Sequence, residues 1–237
     1  MLLSERKVHE VLIANEMDPA EILTDILELA AERRALVHHV SRGKLDSESR
    51  TAASQGVIAR AEELSPVSLD DLCRGSGVGP AGGAEPPFLV AVDGVTDPGN
   101  LGALIRTMEC AGVSGLVLPK HRAVHVTPTV TKTAAGAIEH VPMALVGGLP
   151  AAIAQMQQRG VWVIGLDAAG ETSLHDMALG SDPVCLVLGA EGAGLSRLAR
   201  QRCDVLVSIP LRGQLGSLNV ATAGALACYE VVRRRAH

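Results

Sequence analysis

The sequence predicts an α/β protein: a mostly parallel sheet with helices on both faces, preceded by a smaller α/β unit. Three observations carry that expectation. Short apolar runs that stop at glycine or proline alternate with segments of helical period, as in buried parallel strands joined by helices. Phe88, Trp162 and Tyr229 are the only aromatic residues, so the core must be built from Ala, Val, Leu and Ile. A stretch rich in glycine and proline, Gly75 to Pro87, interrupts the alternation and divides the chain.

In the first part, Val8 to Ala14 reads as a strand. Pro19 to Arg34 follows as an amphipathic helix, with Ile22, Ile26, Leu27, Leu29 and Ala30 on one side. Asp18 is the expected cap, with Pro19 in the first turn. Ala35 to Ser41 is a second strand, Ser41 caps a short helix from Gly43 to Ser49, and Gly56 to Ala61 is a third strand. This β-α-β-α-β unit occupies residues 1–64, and residues 65–87 are expected to form a linker with one helical turn at Asp70 to Leu72. No strand runs straight into the linker glycines and no Lys-Ser/Thr follows them, so they do not read as a phosphate-binding loop.

The larger domain, residues 88–237, opens with a strand from Phe88 to Val92 and a helix from Asn100 to Gly112. Gly115 to Leu118 is a strand, Thr129 to Ala137 is helical, and Val141 to Val146 is a short strand. A helix from Leu149 to Arg159 leads to a strong strand, Val161 to Leu166. Val184 to Leu188 and Val205 to Ile209 are strands separated by a helix at Ser196 to Arg202, and Asn219 to Arg235 is a long terminal helix.

Composition narrows the function. The chain has 237 residues, 47% of them hydrophobic and 20% charged, enough for a real core. A formal net charge of −5 and a pI near 5.9 argue against nucleic-acid binding by bulk charge. With three aromatics, stacking on bases has almost no platform. Five cysteines, no CxxC and no signal peptide read as reduced thiols in the cytoplasm, three of them inert in apolar segments. No apolar run reaches the roughly 18 residues of a membrane span, and the histidines lack metal-ligand spacing, so no metal is expected.

Three segments carry the chemistry. In Asp93 to Arg106, Asp97-Pro98-Gly99 is turn chemistry, Asn100 is placed to cap the next helix, and Arg106 follows six residues later. A helix start presents free N–H groups that can hold an anion, yet the same residues also suit a capped helix with a solvated arginine. Gly189 to Gly194 has one ionisable residue, Glu191. In Ile209 to Ala221, Asn219 suits a cap for the last helix, while Leu218 between Ser217 and Asn219 suits a loop that lays backbone and an apolar side chain against a flat ligand. The last two segments leave the ends of predicted strands, where open α/β sheets bind ligands.

Together these segments resemble the three signature motifs of the SpoU (TrmH-type) family of RNA ribose 2′-O-methyltransferases, in the SPOUT superfamily. Asp-x-x-x-Asp-Pro-x-Asn-x-Gly-Ala-x-x-Arg matches from Asp93 to Arg106, Gly-x-Glu-Gly-x-Gly from Gly189 to Gly194, and Ile-Pro-x-x-Gly-x-x-x-Ser-Leu-Asn-Val from Ile209 to Val220. The first part resembles the small L30e-type RNA-binding domain found ahead of the catalytic domain in members that methylate 23S rRNA guanosine. Ser54-Gln55-Gly56-Val57 is similar to the His-Gln-Gly-Val that closes that domain, and the helix that usually opens it is missing before Met1.

The resemblance implies a C-terminal trefoil knot, bound S-adenosylmethionine, a homodimer packed through the knotted domains, and an RNA substrate, ribosomal RNA before tRNA. Gly189, Ile209, Leu211 and Leu218 would line the cofactor pocket. Asn100, Arg106, Glu191, Ser217 and Asn219 would form the reaction centre. Arg106 would act as base or as a clamp on phosphate and developing alkoxide, Asn100 would position Arg106 or the ribose, and Glu191 would orient Arg106. Lys120, His121, Arg122 and Lys132 would add a basic rim. Arg233 to Arg235 suit a helix C-terminus, with RNA contact as the alternative. A non-catalytic RNA-binding protein of the same fold is the rival reading. A dinucleotide oxidoreductase is disfavoured because no Gly-x-Gly-x-x-Gly follows the first strand of the larger domain.

Overall fold

The computed structural model describes residues 1–18, 20–49, 54–75, 85–121, 126–179 and 181–236. The chain forms two compact units, Met1–Ser65 and Pro66–His237.

The first unit runs β1 (Val8–Ala14), α1 (Glu21–Glu32), β2 (Leu36–Val40), α2 (Arg42–Glu48) and β3 (Val57–Ala61). Its sheet has the order β2-β1-β3, with β2 parallel and β3 antiparallel to β1. Period-two alternation sends Val11 and Ile13 of β1 towards Ala30 of α1, and Leu12 and Ala14 towards Leu45 of α2. Ser41 caps α2 by accepting from the Lys44 amide. Asp18 does not cap α1. The helix starts after Ala20, whose side chain makes no capping bond, and a cap must sit beside the amides it serves.

The second unit begins with α3 (Leu69–Arg74), inside the stretch expected to be linker. Ser68 caps it by accepting from the Asp71 amide at 3.1 Å and donating to the Asp71 carboxylate at 2.6 Å. Leu69, Leu72 and Cys73, spaced for one helix face, are buried in the unit's core. This apolar face outweighs the turn-rich composition around it. The glycine-rich residues 76–84 lie outside the described residues.

Next come β4 (Phe88–Asp93), α4 (Pro98–Cys110), β5 (Gly115–Pro119), α5 (Pro128–Thr133), β6 (Met143–Val146) and α6 (Leu149–Gln158). They are followed by β7 (Trp162–Leu166), β8 (Thr172–Ser173), β9 (Val184–Gly189), α7 (Arg197–Arg202), β10 (Val205–Ser208) and α8 (Val220–Arg235). The expected helix at Thr129 to Ala137 divides into α5 and a 3-10 turn, Ala137–Glu139. Ala135 and Gly136, both at positive φ, make the break. The two-residue β8 has no periodicity that a sequence pattern could show.

The seven strands lie in the order β6-β5-β4-β9-β7-β10-β8, and every pairing is parallel. β4, β5 and β9 are buried almost throughout, as strands covered on both faces must be. On one face, Leu89, Ala91 and Val187 pack under α3, α6 and the start of α7. On the other, α4 packs against α5 and α8. Gly102 of α4 allows that approach: a Cβ there would stand 2.6 Å from the Thr133 Cβ and 2.9 Å from the Val130 carbonyl oxygen.

The terminal arginines anchor α8. Arg233 and Arg234 hydrogen-bond to Glu230, and Arg234 also donates to the His175 carbonyl. Arg235 donates to the carbonyls of Pro86, Pro87 and Asp182 and lies 5.4 Å over the Phe88 ring. Cys73, Cys185 and Cys228 are buried. Burial pushes the Cys203 and Cys228 thiols up to about 12, the direction of inert rather than reactive cysteines. Among the described residues no helix is long and apolar enough to cross a membrane.

Candidate active site

The site grows from the carboxyl ends of three adjacent strands, β9, β7 and β10. β9 ends at Gly189, and the chain then doubles back, with Ala190 and Gly194 exchanging both backbone hydrogen bonds at 2.8 and 3.0 Å. Only glycine fits at 189. A Cβ there would stand 2.1 Å from the Gly194 carbonyl carbon. Gly192 and Gly194 take positive φ within the same turn. Asp93, paired in register with Gly189, accepts from the Ser196 amide at 2.7 Å and fixes where the turn ends. The first motif aspartate is thus a structural pin for the second motif.

This turn, the turn after β10 and the end of β7 enclose a cavity of about 330 Å³, within the size range of small-molecule sites. Gly189, Ile209, Leu211 and Leu218, the expected cofactor-pocket residues, all line it, together with Glu191 and Ser217. The walls are largely apolar, from Leu166, Leu188, Val207, Ile209 and Leu218 among others. Its charged lining residues are Glu191, Asp167 and Arg200. Asp167 and Arg200 lie outside the three motifs. The strong run ending at Leu166 was a usable signal, because the strand-end rule applies to β7 as much as to β9.

Glu191 is the meeting point of all three motifs. The Asn100 amide donates to it at 3.2 Å, and the Asn219 amide donates to Asn100 at 2.8 Å and to Glu191 at 3.5 Å. Asn219 also caps α8, its side-chain oxygen accepting from the amides of Ala221 and Thr222. That cap fixes which end of the Asn219 amide faces the ring, so each donor of the ring meets an acceptor.

Asn100 was expected to cap α4, but Asp97 does so, accepting from the Asn100 amide at 2.7 Å. Pro98 takes the first helical position, where its fixed φ and missing N–H are suited. The cap therefore lies one residue before the proline, and the Asn100 side chain is released to the ring.

Arg106 sits on α4 about 9 Å further along the axis than Asn100, exposed and without a hydrogen-bond or ion-pair partner among the described residues. The expected Glu191–Arg106 contact is absent; Glu191 accepts instead from the side-chain amides of the two asparagines. Lys120 and His121 are exposed just after β5, and Lys132 is exposed on α5. Arg122 lies outside the described residues.

Comparison with known proteins agrees with this arrangement. Residues 87–229 match the model of the SpoU rRNA Methylase family, and residues 1–67 match that for RNA 2′-O ribose methyltransferase substrate binding. A 23S rRNA (guanosine-2′-O-)-methyltransferase RlmB from Ralstonia nicotianae is 41% identical over 214 residues, 90% of this chain and 83% of its own. An AdoMet-bound rRNA methyltransferase from Sinorhizobium meliloti superposes with a TM-score of 0.77 at 25% identity, over 97% of this chain and 81% of that one. The SpoU methyltransferase AviRb from Streptomyces viridochromogenes, in complex with AdoMet, gives 0.79 at 26% identity, over 97% and 83%. With both units matched and the three motifs joined through Asn100, Glu191 and Asn219, this chain belongs to the SpoU rRNA methylase family.

Proposed function

We propose that this protein transfers a methyl group from S-adenosylmethionine to a ribose 2′-hydroxyl of ribosomal RNA, with a 23S rRNA guanosine as the target. The observation that carries the proposal is the Asn100–Glu191–Asn219 ring on the wall of a glycine-lined, largely apolar cavity. The cavity suits a nucleoside: Leu188, Ile209 and Leu218 offer apolar walls for a flat base, and Gly189 keeps the backbone close. The cofactor supplies an electrophilic methyl group on a sulfonium, so the protein's work is alignment and charge stabilisation.

Asn100, Glu191 and Asn219 hold the turn and the starts of α4 and α8 in one rigid geometry. Ser217, exposed on the cavity wall, meets the incoming ribose. Arg106 grips the phosphate next to that ribose and stabilises the alkoxide as the proton leaves. A guanidinium retains its protons in proteins, so Arg106 is a clamp rather than a base. Lys120, His121 and Lys132 extend the cationic surface towards the RNA backbone.

The first unit selects the RNA. The hydroxyl that is methylated is common to all four nucleotides, so choice of target rests on RNA shape and on contacts away from the reaction centre. The protein works in the cytoplasm as a homodimer through its larger unit. Leu226 and Tyr229, three residues apart on α8 and 47% and 51% exposed, support such an interface. The chain from β9 to α8 closes as a trefoil knot. In support, β10 lies beyond β7 from β9, and residues 216–218 return to the same cavity.

Mapping ribose methylation across 23S rRNA from cells with and without the gene tests the proposal. One guanosine 2′-O-methyl mark should vanish with the gene. An unchanged map of 23S rRNA, or a lost mark on tRNA instead, would contradict it.

A further inference from the structure

We infer that Asp167 holds the ribose diol of the cofactor's nucleoside, that Arg200 fixes the carboxylate for that purpose, and that the pair makes the cavity selective for ribonucleoside over deoxyribonucleoside ligands. The inference rests on the cavity being the methyl-donor site.

Asp167 follows β7 directly, and each of its polar atoms has a partner. Its amide donates to the Val207 carbonyl and its own carbonyl accepts from Gly170, each at 2.9 Å. One carboxylate oxygen accepts from the Ala169 amide at 2.9 Å, and the other lies 3.4 Å from Nε of Arg200. Gly170 makes this strap possible, because a Cβ there would stand 2.7 Å from the Val207 backbone. The Asp167 side chain is only 12% exposed, and the residue lines the cavity.

A carboxylate has about four acceptor positions. The Ala169 amide and Arg200 take two, which leaves one on each oxygen. Two adjacent hydroxyl donors are what such a group accepts, and a ribose carries them on neighbouring carbons. Glu191, the other carboxylate of the cavity, is tied instead to the asparagine amides of the first and third motifs. Apart from Ser217, the remaining walls are apolar or backbone and suit the base. An acidic residue at a strand end accepting ribose hydroxyls is a solution known in dinucleotide-binding sheets, where the same chemistry is required.

Calorimetry on the full chain tests this with S-adenosylhomocysteine, its 2′-deoxy and 3′-deoxy forms, and 5′-methylthioadenosine, which keeps the ribose and lacks the amino-acid tail. The unsubstituted protein should bind each deoxy form about 10- to 100-fold more weakly, the value of a hydrogen bond to a charged group. Asp167→Ala should lower S-adenosylhomocysteine affinity to the deoxy level and remove the discrimination. Asp167→Asn should keep part of it, and Arg200→Ala should reduce it less than Asp167→Ala. Methylthioadenosine should show the same dependence on Asp167. Equal binding of ribo and deoxy ligands by the unsubstituted protein would overturn the inference without any variant. So would an Asp167→Ala that folds and weakens both ligand types alike, as a mere wall residue would. Loss of the Asp167 dependence with methylthioadenosine would place the carboxylate on the cofactor's ammonium instead, and would also overturn it. No binding of S-adenosylhomocysteine by the unsubstituted protein would overturn the methyl-donor reading, and this inference with it.

Discussion

The two units solve the problem of exposing function from a sheet in opposite ways. In the larger unit, β4, β5 and β9 are buried on both faces by helices, so only their carboxyl ends are open to a ligand. The cavity and the Asn100–Glu191–Asn219 ring lie there. In the first unit, β2 is half open to solvent and the small sheet carries surface ion pairs, Arg60 with Glu10 and Glu48. Residues 1–65 hold eight Lys and Arg against twelve Asp and Glu. On α1, Glu21, Asp25, Glu28 and Glu32 recur at helical spacing as an acidic stripe. A unit with this balance does not collect RNA by bulk charge, and contact with phosphates has to come from faces other than that stripe. Chemistry is concentrated at strand ends, and recognition is spread over a surface.

Four substitutions sharpen or break this contrast, beginning with the largest effect. Arg106→Ala should slow methyl transfer by about 10³-fold or more, while donor affinity stays within about twofold, if the guanidinium acts on the RNA side as proposed. Single-turnover transfer of labelled methyl beside calorimetry checks this, and near-normal turnover would remove Arg106 from the site. Leu45→Ala, at a fully buried position of the first unit, should destabilise that unit by about 2–5 kcal/mol and leave donor binding unchanged. A parallel loss of donor affinity would mean that the units are not independent.

Asn219→Asp keeps an oxygen to cap α8 but replaces both ring donors with a carboxylate facing Glu191. Turnover should fall about 10- to 100-fold, the scale of a charge-assisted hydrogen bond lost, with the melting temperature nearly unchanged. The smallest effect concerns Glu230. Hydrogen bonds from Arg233, and then Arg234, draw its carboxyl down from 4.5 to about 2. A depressed carboxyl contributes its full stability above pH 4.5 and loses it as pH falls towards 2. Glu230→Gln should therefore cost about 1 kcal/mol near neutrality and flatten the acid limb of the stability curve. Denaturant midpoints at pH 7 and pH 3 read both.

Much of the larger unit was legible from the sequence, because a strand buried on both faces must be an apolar run and must stop where the chain turns. Val184 to Leu188 and Phe88 to Val92 show this directly. The motif glycines were legible for a related reason: a close backbone approach such as that at Gly189 leaves no other residue. Side-chain partnerships were less accessible. Glu191 was expected to meet the cationic Arg106, and it bonds instead to two neutral amides from residues 91 and 28 positions away. Sequence pattern registers charge but not which helix start lies across a sheet. The cap of α4 was misplaced by three residues, since Asp97 and Asn100 are both good caps and the choice falls to Pro98. The pairing of Asp167 with Arg200, 33 positions apart, belongs to no local pattern, and only the parallel register of β7 with β10 joins their ends of the sheet.

In the proposed reaction one cavity presents the methyl donor to an RNA ribose beside the Asn100–Glu191–Asn219 ring and Arg106. A crystal structure of the full chain with S-adenosylhomocysteine tests it most directly. The base should lie between the turns that follow β9 and β10, the ribose at Asp167, and the sulfur should face the ring. A ligand bound away from this cavity, or one whose sulfur points away from the ring and Arg106, would contradict it.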